Sequence, residues 1–463
     1  MAAFCLAALT ILPALSPLKI AAQESPITFS GTEVENNFPF WSVFRATSAT
    51  NAGEIVSAKF VFKYRNATSS NLTVLDIVPG PEADLEYRWD TSNITVPPST
   101  PIYYYWEVAD SQGNRQKSEE ELFLYHDQRF EWQVLERENL SVWWHDQPPE
   151  FGEEVMDIAI LALQEQVDLF MFELDFPIYL IIYNDFDEFA EWHSHIGEFV
   201  GGQAFPPFGV TTQIVPADGN QRYWLNDVIP HEISHLFFYQ ATFHPLSFPP
   251  TWLDEGVAQY NELTGNMSAL DRVRSEAALG NLLRLTSLTG SFGQDPDQVR
   301  LSYDEGLSAV AYMVDAYGEE GMSRLLGEYR EGNNGDSAFE NAFGRTIIEF
   351  EQDWLASMGI PPGMYPTITP TAGYTPPPSP TALSLPTKVP SRTPTATEAE
   401  ATSSPPSATA QFSSTPRPTA TVEPSSSAFG GVLSICGSAV LMMGLMAGAP
   451  AYLRRKIPRS SGS

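Results

Sequence analysis

Residues 361–427 bound what this chain can fold into, because 41 of those 67 positions are Pro, Ser or Thr. A stretch with so few apolar side chains cannot bury a core, and its prolines favour an extended, semi-rigid chain. The region 360–428 therefore reads as a linker or stalk. Residues 429–453 (FGGVLSICGSAVLMMGLMAGAPAYL) follow as 25 uncharged positions. A bilayer core needs about 20 apolar residues in a helix, so this run is expected to be one transmembrane helix. Arg454, Arg455, Lys456 and Arg459 come next. The positive-inside rule then makes 454–463 a cytoplasmic tail and puts everything before the span outside. At the other end, residues 2–18 are almost wholly apolar and small residues stand at Ala21 and Ala22, which reads as a signal peptide over 1–22. Globular folding is left to roughly 26–359.

That portion divides into two patterns. Residues 26–127 read as β: IVSAKFVFKY alternates, IYYYWEVAD is rich in aromatics, and SQGN turns the chain into ELFLYHD. The spacing predicts a β-sandwich of immunoglobulin or fibronectin type. The aromatic run Tyr103–Trp106 is expected in its core. Residues 129–359 read as an α+β domain. Strands come first (FEWQVLERENLSVWWHD), then an amphipathic helix near 153–173, a buried strand at 177–183, a helix over 186–196 and a strand at 208–216. The last of these could take up a peptide as an added strand. His193 and His195, two apart on the expected helix, do not share a face and are expected at the surface.

The chemistry concentrates in HEISH, residues 231–235. On a helix His231 and His235 project from one face and can hold zinc, while Glu232 lies beside them as a general base for a metal-bound water. WLDEG follows, and its Glu255 offers a third ligand oxygen. Three protein ligands and one open position make a catalytic zinc; four make a structural one. An extended zinc motif would need Gly at 238 and His at 241, but the chain has Phe238 and Ala241. His244 is nearer than Glu255 but sits in a Pro-rich connector, FHPLSFPP. Asp227 and Asp254 are candidates to orient the imidazoles from behind.

HEISH followed by WLDEG resembles the gluzincin metallopeptidases, and aminopeptidase N-like enzymes carry a similar WLNEG-type second motif. Downstream, LSYDEGLSAVAYMVDAYGEE and FENAFG…FEQDWLASMG resemble the bacterial peptidase MA-like group. The likeness covers roughly 129–359. It implies a gluzincin-type fold and a zinc-dependent peptidase with one Zn2+ per chain. It also implies an oxyanion-stabilising role for Tyr303, which matches the tyrosine of the family's Tyr-Glu-x-Gly segment (here Tyr-Asp-Glu-Gly, 303–306); Tyr312, nine residues on, is the alternative. Two features depart from the aminopeptidases. No Gly-x-Met-Glu-Asn segment is present to bind a free amino terminus, and the spacing from His235 to Glu255 is one residue longer than usual.

A net charge of −32 disfavours nucleic acid as a partner. The two cysteines, Cys5 and Cys436, lie in the terminal apolar runs, so the globular part has neither a disulfide nor a thiolate ligand. The sequence thus points to a membrane-anchored, extracellular zinc peptidase acting on peptides or proteins. The alternative is a catalytically inactive or weakly active zinc-binding adhesion protein with the β-sandwich as its working part. Glu232 and Tyr303 favour the enzyme.

Overall fold

The computed structural model describes residues 25–365, apart from 66, 68, 194–200, 217–224, 265–266, 294 and 362. The expected signal peptide, transmembrane helix and cytoplasmic tail, nearly all of the stalk, and His195 lie outside the described residues. Among the described residues no helix is long and apolar enough to cross a membrane.

The chain opens with eight strands: β1 (Ile27–Asn37), β2 (Trp41–Thr50), β3 (Ile55–Tyr64), β4 (Asn71–Leu75), β5 (Glu82–Asp90), β6 (Thr100–Asp110), β7 (Arg115–Lys117) and β8 (Glu121–Tyr125). They form two antiparallel sheets, one ordered β1-β2-β5 and the other β4-β3-β6-β7, with β8 also pairing β6. Apolar positions bury one face of β2, β3, β5 and β6 in a shared core around Phe44, Phe60, Leu85, Trp89 and Trp106. The aromatic run splits the same way. Tyr104 and Trp106 are buried, whereas Tyr105 faces outward under the Lys117 ammonium, 3.3 Å from its ring centre.

Strands β9 (Gln133–Arg137) and β10 (Leu140–Trp144) precede α1 (Pro149–Phe170); β11 (Ile178–Tyr183), the short α2 (Phe186–Ala190), β12 (Gly202–Phe205) and β13 (Val210–Ile214) follow. The strands form one mixed sheet ordered β12-β13-β11-β10-β9, parallel in its centre and antiparallel at both edges. The run PIYLIIY shows no alternation because both faces of β11 are covered. Ile178, Leu180 and Ile182 enter the core of the helical half. Ile181 and Tyr183 enter the core of the N-terminal sheets. Asp127 pins the seam. It is fully buried, accepts from the Tyr183 hydroxyl at 2.9 Å, and pairs with the Arg129 guanidinium at 2.7 Å.

The remaining helices are α3 (Leu225–Thr242), α4 (Thr251–Tyr260), α5 (Met267–Leu279), α6 (Pro296–Arg330), α7 (Gly335–Phe343) and α8 (Ile347–Ser357). The run of α6 is broken at Gly318, whose φ of +71° favours glycine.

Two expectations need correction. The strand expected to receive a peptide, β13, is paired on both sides. The edge belongs to β12, four residues led by glycine and too short to leave a periodic signal. His193 is only partly exposed rather than out on the surface. Its ring lies 3.9 Å from Trp192 and 4.5 Å from Phe189, centre to centre, and burial lowers its pKa to about 3.

Candidate metal centre

The HEISH helix is unusually enclosed, with every residue from Val228 to Phe238 buried. A helix apolar on most sides and sheathed by neighbours can hold charged groups only where those groups have partners. The neighbours are positioned by sequence devices that can be named.

Pro230 precedes the motif inside α3 and has no amide hydrogen, so the Asn226 carbonyl is left without its helical partner. It accepts instead from Leu263 N at 2.9 Å. This bond docks the segment after α4 against α3 and brings Glu262 beside His231. Gln166 of α1 donates to the Pro230 carbonyl at 2.7 Å and fixes the other side of the helix.

The crossing of α4 and α6 depends on two glycines. A Cβ at Gly256 would stand 2.4 Å from the Gly306 carbonyl oxygen, and one at Gly306 would stand 2.6 Å from the Trp252 carbonyl oxygen. The helices therefore touch backbone to backbone. Each glycine closes an Asp-Glu-Gly triplet, 254–256 and 304–306. The contact thereby sets Glu255 on one helix against the turn that carries Tyr303 on the other.

The result is a buried His–His–Glu group. The imidazoles of His231 and His235 have ring centres 5.0 Å apart. One ligand atom from each of His231, His235 and Glu255 lies within 4.8 Å of the others. Glu255 Oε2 is 3.3 Å from His231 Nε2 and 3.7 Å from His235 Nε2. None of these three atoms is exposed, and none makes a hydrogen bond of good geometry. Buried polar atoms left open in this way are rare, and here they converge. The opposite nitrogens are engaged: His231 Nδ1 meets Glu262 Oε1 at 3.0 Å and His235 Nδ1 meets Asp254 Oδ1 at 2.7 Å. A carboxylate behind each Nδ1 keeps the proton there and turns the Nε2 lone pair into the shared space, the arrangement a metal-ligating histidine needs. Two nitrogens and one oxygen in three-fold array fit zinc with a position left open.

Glu232 projects beside this group. It is fully buried, and among the described residues neither of its carboxylate oxygens has a hydrogen-bond partner. Burial, with added repulsion from Glu255 and Asp254, raises its pKa to about 7 despite the opposing histidines. Tyr303 approaches from α6. Its ring meets Phe292 edge-on at 5.1 Å. Burial and the charges of Glu255 and Glu232, with a hydrogen bond to Glu255, hold its hydroxyl well above the ordinary pKa, so it stays protonated.

The other candidates fall elsewhere. His244 Nδ1 accepts from Leu246 N, and the ring packs over Gly332, away from the ligand group. Tyr312 packs against Phe350 with the rings tilted, centres 5.6 Å apart. Asp227 accepts from the Thr264 hydroxyl, and the hydrogen bond to His231 Nδ1 is made by Glu262 instead. The residue that does, Glu262, carries no signal in the sequence beyond being an acid just past the WLDEG helix. Its role follows from the Pro230-freed carbonyl, which sequence spacing does not reveal.

Residues 159–359 match the family model described as the Peptidase MA superfamily. No curated protein matches the chain. Among solved structures, a mutant two-domain M1 zinc metallopeptidase bound to L-arginine is similar at 12% identity and a TM-score of 0.36, over 74% of this chain and 97% of that one. A catalytically inactive OgpA from Akkermansia muciniphila, in complex with an O-glycopeptide substrate, is similar at 4% identity and a TM-score of 0.18. That match covers 23% of this chain and only 30% of the other. Over its helical half the chain is thus similar to the peptidase MA superfamily, and that half carries the His231–His235–Glu255 group.

Proposed function

We propose that the chain is a zinc-dependent peptidase. The observation that carries this reading is the convergence of three buried ligand atoms on His231, His235 and Glu255, none satisfied by a hydrogen bond among the described residues, beside the Glu232 carboxylate. A zinc ion held by these three side chains would act as a Lewis acid toward a scissile carbonyl and lower the pKa of a water.

The chain's own groups supply the rest. Glu232 accepts a proton from the attacking water on a carboxylate oxygen and passes it to the departing amine nitrogen. The Tyr303 hydroxyl, kept protonated, donates to the carbonyl oxygen as negative charge develops there. Asp254 and Glu262 hold the two imidazoles in one tautomer and one orientation. β12, the edge strand among the described residues, can align a peptide by main-chain hydrogen bonds next to Glu232. The strand order of the N-terminal sheets supports a fibronectin- or immunoglobulin-type sandwich. The patterns at 1–22, 360–428 and 429–463 support an enzyme tethered outside a membrane by a stalk.

The test is Glu232→Gln in the full-length protein, assayed against a mixed peptide library. Zinc should stay at about one per chain, because the base is not a ligand, and turnover should fall by about 10²–10⁴-fold. Hydrolysis at the parent rate would refute the mechanism.

A further inference from the structure

The space that Glu232 occupies is set by a residue with no side chain. Gly202 opens the edge strand β12 and is buried directly over the Glu232 carboxylate. A Cβ on Gly202 would stand 2.8 Å from Glu232 Oε1, 3.1 Å from Glu232 Cδ and 3.0 Å from Val228 Cγ2. Ordinary contacts between carbon and such atoms begin near 3.5 Å. The φ of Gly202 lies outside the range that favours glycine, so any residue could adopt this backbone. Space alone demands glycine here.

Neither side can easily retreat. Gly202 pairs with Gln213 of β13, and the neighbouring Gly201 carbonyl accepts from Ile214 N at 2.9 Å. The helix opposite is held from behind by Gln166 and by the docked Leu263. The part of the contact free to move is the end of the Glu232 side chain. Its carboxylate oxygens have no hydrogen bond to hold them, so the wall formed by β12 is what confines them.

We propose that Gly202 is a positioning residue. Its bare Cα lets the edge strand close on the Glu232 carboxylate and fixes that carboxylate's distance from the His231–His235–Glu255 group. It also leaves no room for water on the carboxylate's far side. The proposal rests on the catalytic reading of Glu232, but the contact itself can be tested without catalysis. A side chain at 202 drives the carboxylate several tenths of an ångström out of place. A misplacement of 1 Å can cost about 10²-fold, so a smaller shift costs about tenfold in rate.

The experiment is a cycle of Gly202→Ala, Glu232→Ala and the double variant in full-length protein, melted with and without metal and assayed when zinc-loaded. Gly202→Ala should keep one zinc per chain and a KM near the parent's, with kcat lower by about tenfold or more. In metal-free protein it should lower the melting temperature, and the loss should shrink when Glu232 is already Ala. Should Gly202→Ala fail to fold, the double variant should still fold. An equal melting loss in both backgrounds, a double variant as unfolded as the single, or a parent-like kcat in Gly202→Ala would overturn the proposal. A parent protein that hydrolyses no peptide would refute the peptidase reading, while the melting cycle would still decide the contact.

Discussion

Two of the places where the described residues bury charge are built differently. At the seam between the N-terminal sheets and the mixed sheet, Asp127 faces Arg129 and the Tyr183 hydroxyl, and its charge is met by donors within the chain. At the candidate metal group His231 Nε2, His235 Nε2, Glu255 Oε2 and both Glu232 oxygens converge without hydrogen bonds among the described residues. Removing charge from water costs several kcal/mol per ion unless a partner replaces it. The seam offsets that cost internally. The metal centre leaves it open, and the fold there is held by glycine contacts, a proline and carboxylates placed behind the histidines. Donors inside the chain satisfy the seam, whereas the ligand atoms of the His–His–Glu group face one another.

The strongest challenge to this contrast is Glu255→Ala. It should abolish stoichiometric zinc and all peptide hydrolysis, whereas His244→Ala should change neither, both measured by metal analysis of purified protein. The reverse order would move the third ligand to the α3–α4 connector. Next, Tyr303→Phe deletes one hydroxyl and should lower kcat by about 10²–10³-fold, roughly 3–4 kcal/mol, with zinc content intact. A parent-like rate would remove Tyr303 from the chemistry. On the seam side, Asp127→Ala leaves Arg129 and Tyr183 without their acceptor. Denaturant unfolding should show a loss of about 3 kcal/mol, the low end for a broken buried pair because the Arg129 side chain keeps 22% exposure. Zinc affinity should not move; if it falls tenfold, the two clusters are coupled and the contrast fails. The smallest effect is expected for Glu262→Gln, which keeps an acceptor for His231 Nδ1 but loses its charge. Competition with a chelator should show zinc held about 10-fold more weakly, with the melting temperature of metal-free protein near the parent's.

Much of this was written in local pattern. The spacing of His231 and His235, the acid between them and the second acid at 255 are helical geometry, and helical geometry is local enough to read. The alternation in β3 and β6 likewise marked one buried face per strand. Other features were not legible because they are contacts between distant segments. Strand β12 became an edge only through the order of its sheet, and β13 lost that role in the same step. His193 looked exposed by spacing, yet the aromatic side chains of Trp192, Phe189 and Phe205 enclose it.

The sequence by itself determined which side chains could bind a metal, because ligand chemistry belongs to residue types and their separation along one helix. Tertiary structure decided what surrounds them. Glu262, rather than Asp227, stands behind His231, because Pro230 freed a carbonyl that captured Leu263. Tyr303, rather than Tyr312, faces the centre, because Gly256 and Gly306 let two helices touch at that one turn. These outcomes depend on the distance between backbones remote in sequence. That distance is fixed by packing and hydrogen bonding across the fold, not by spacing along the chain.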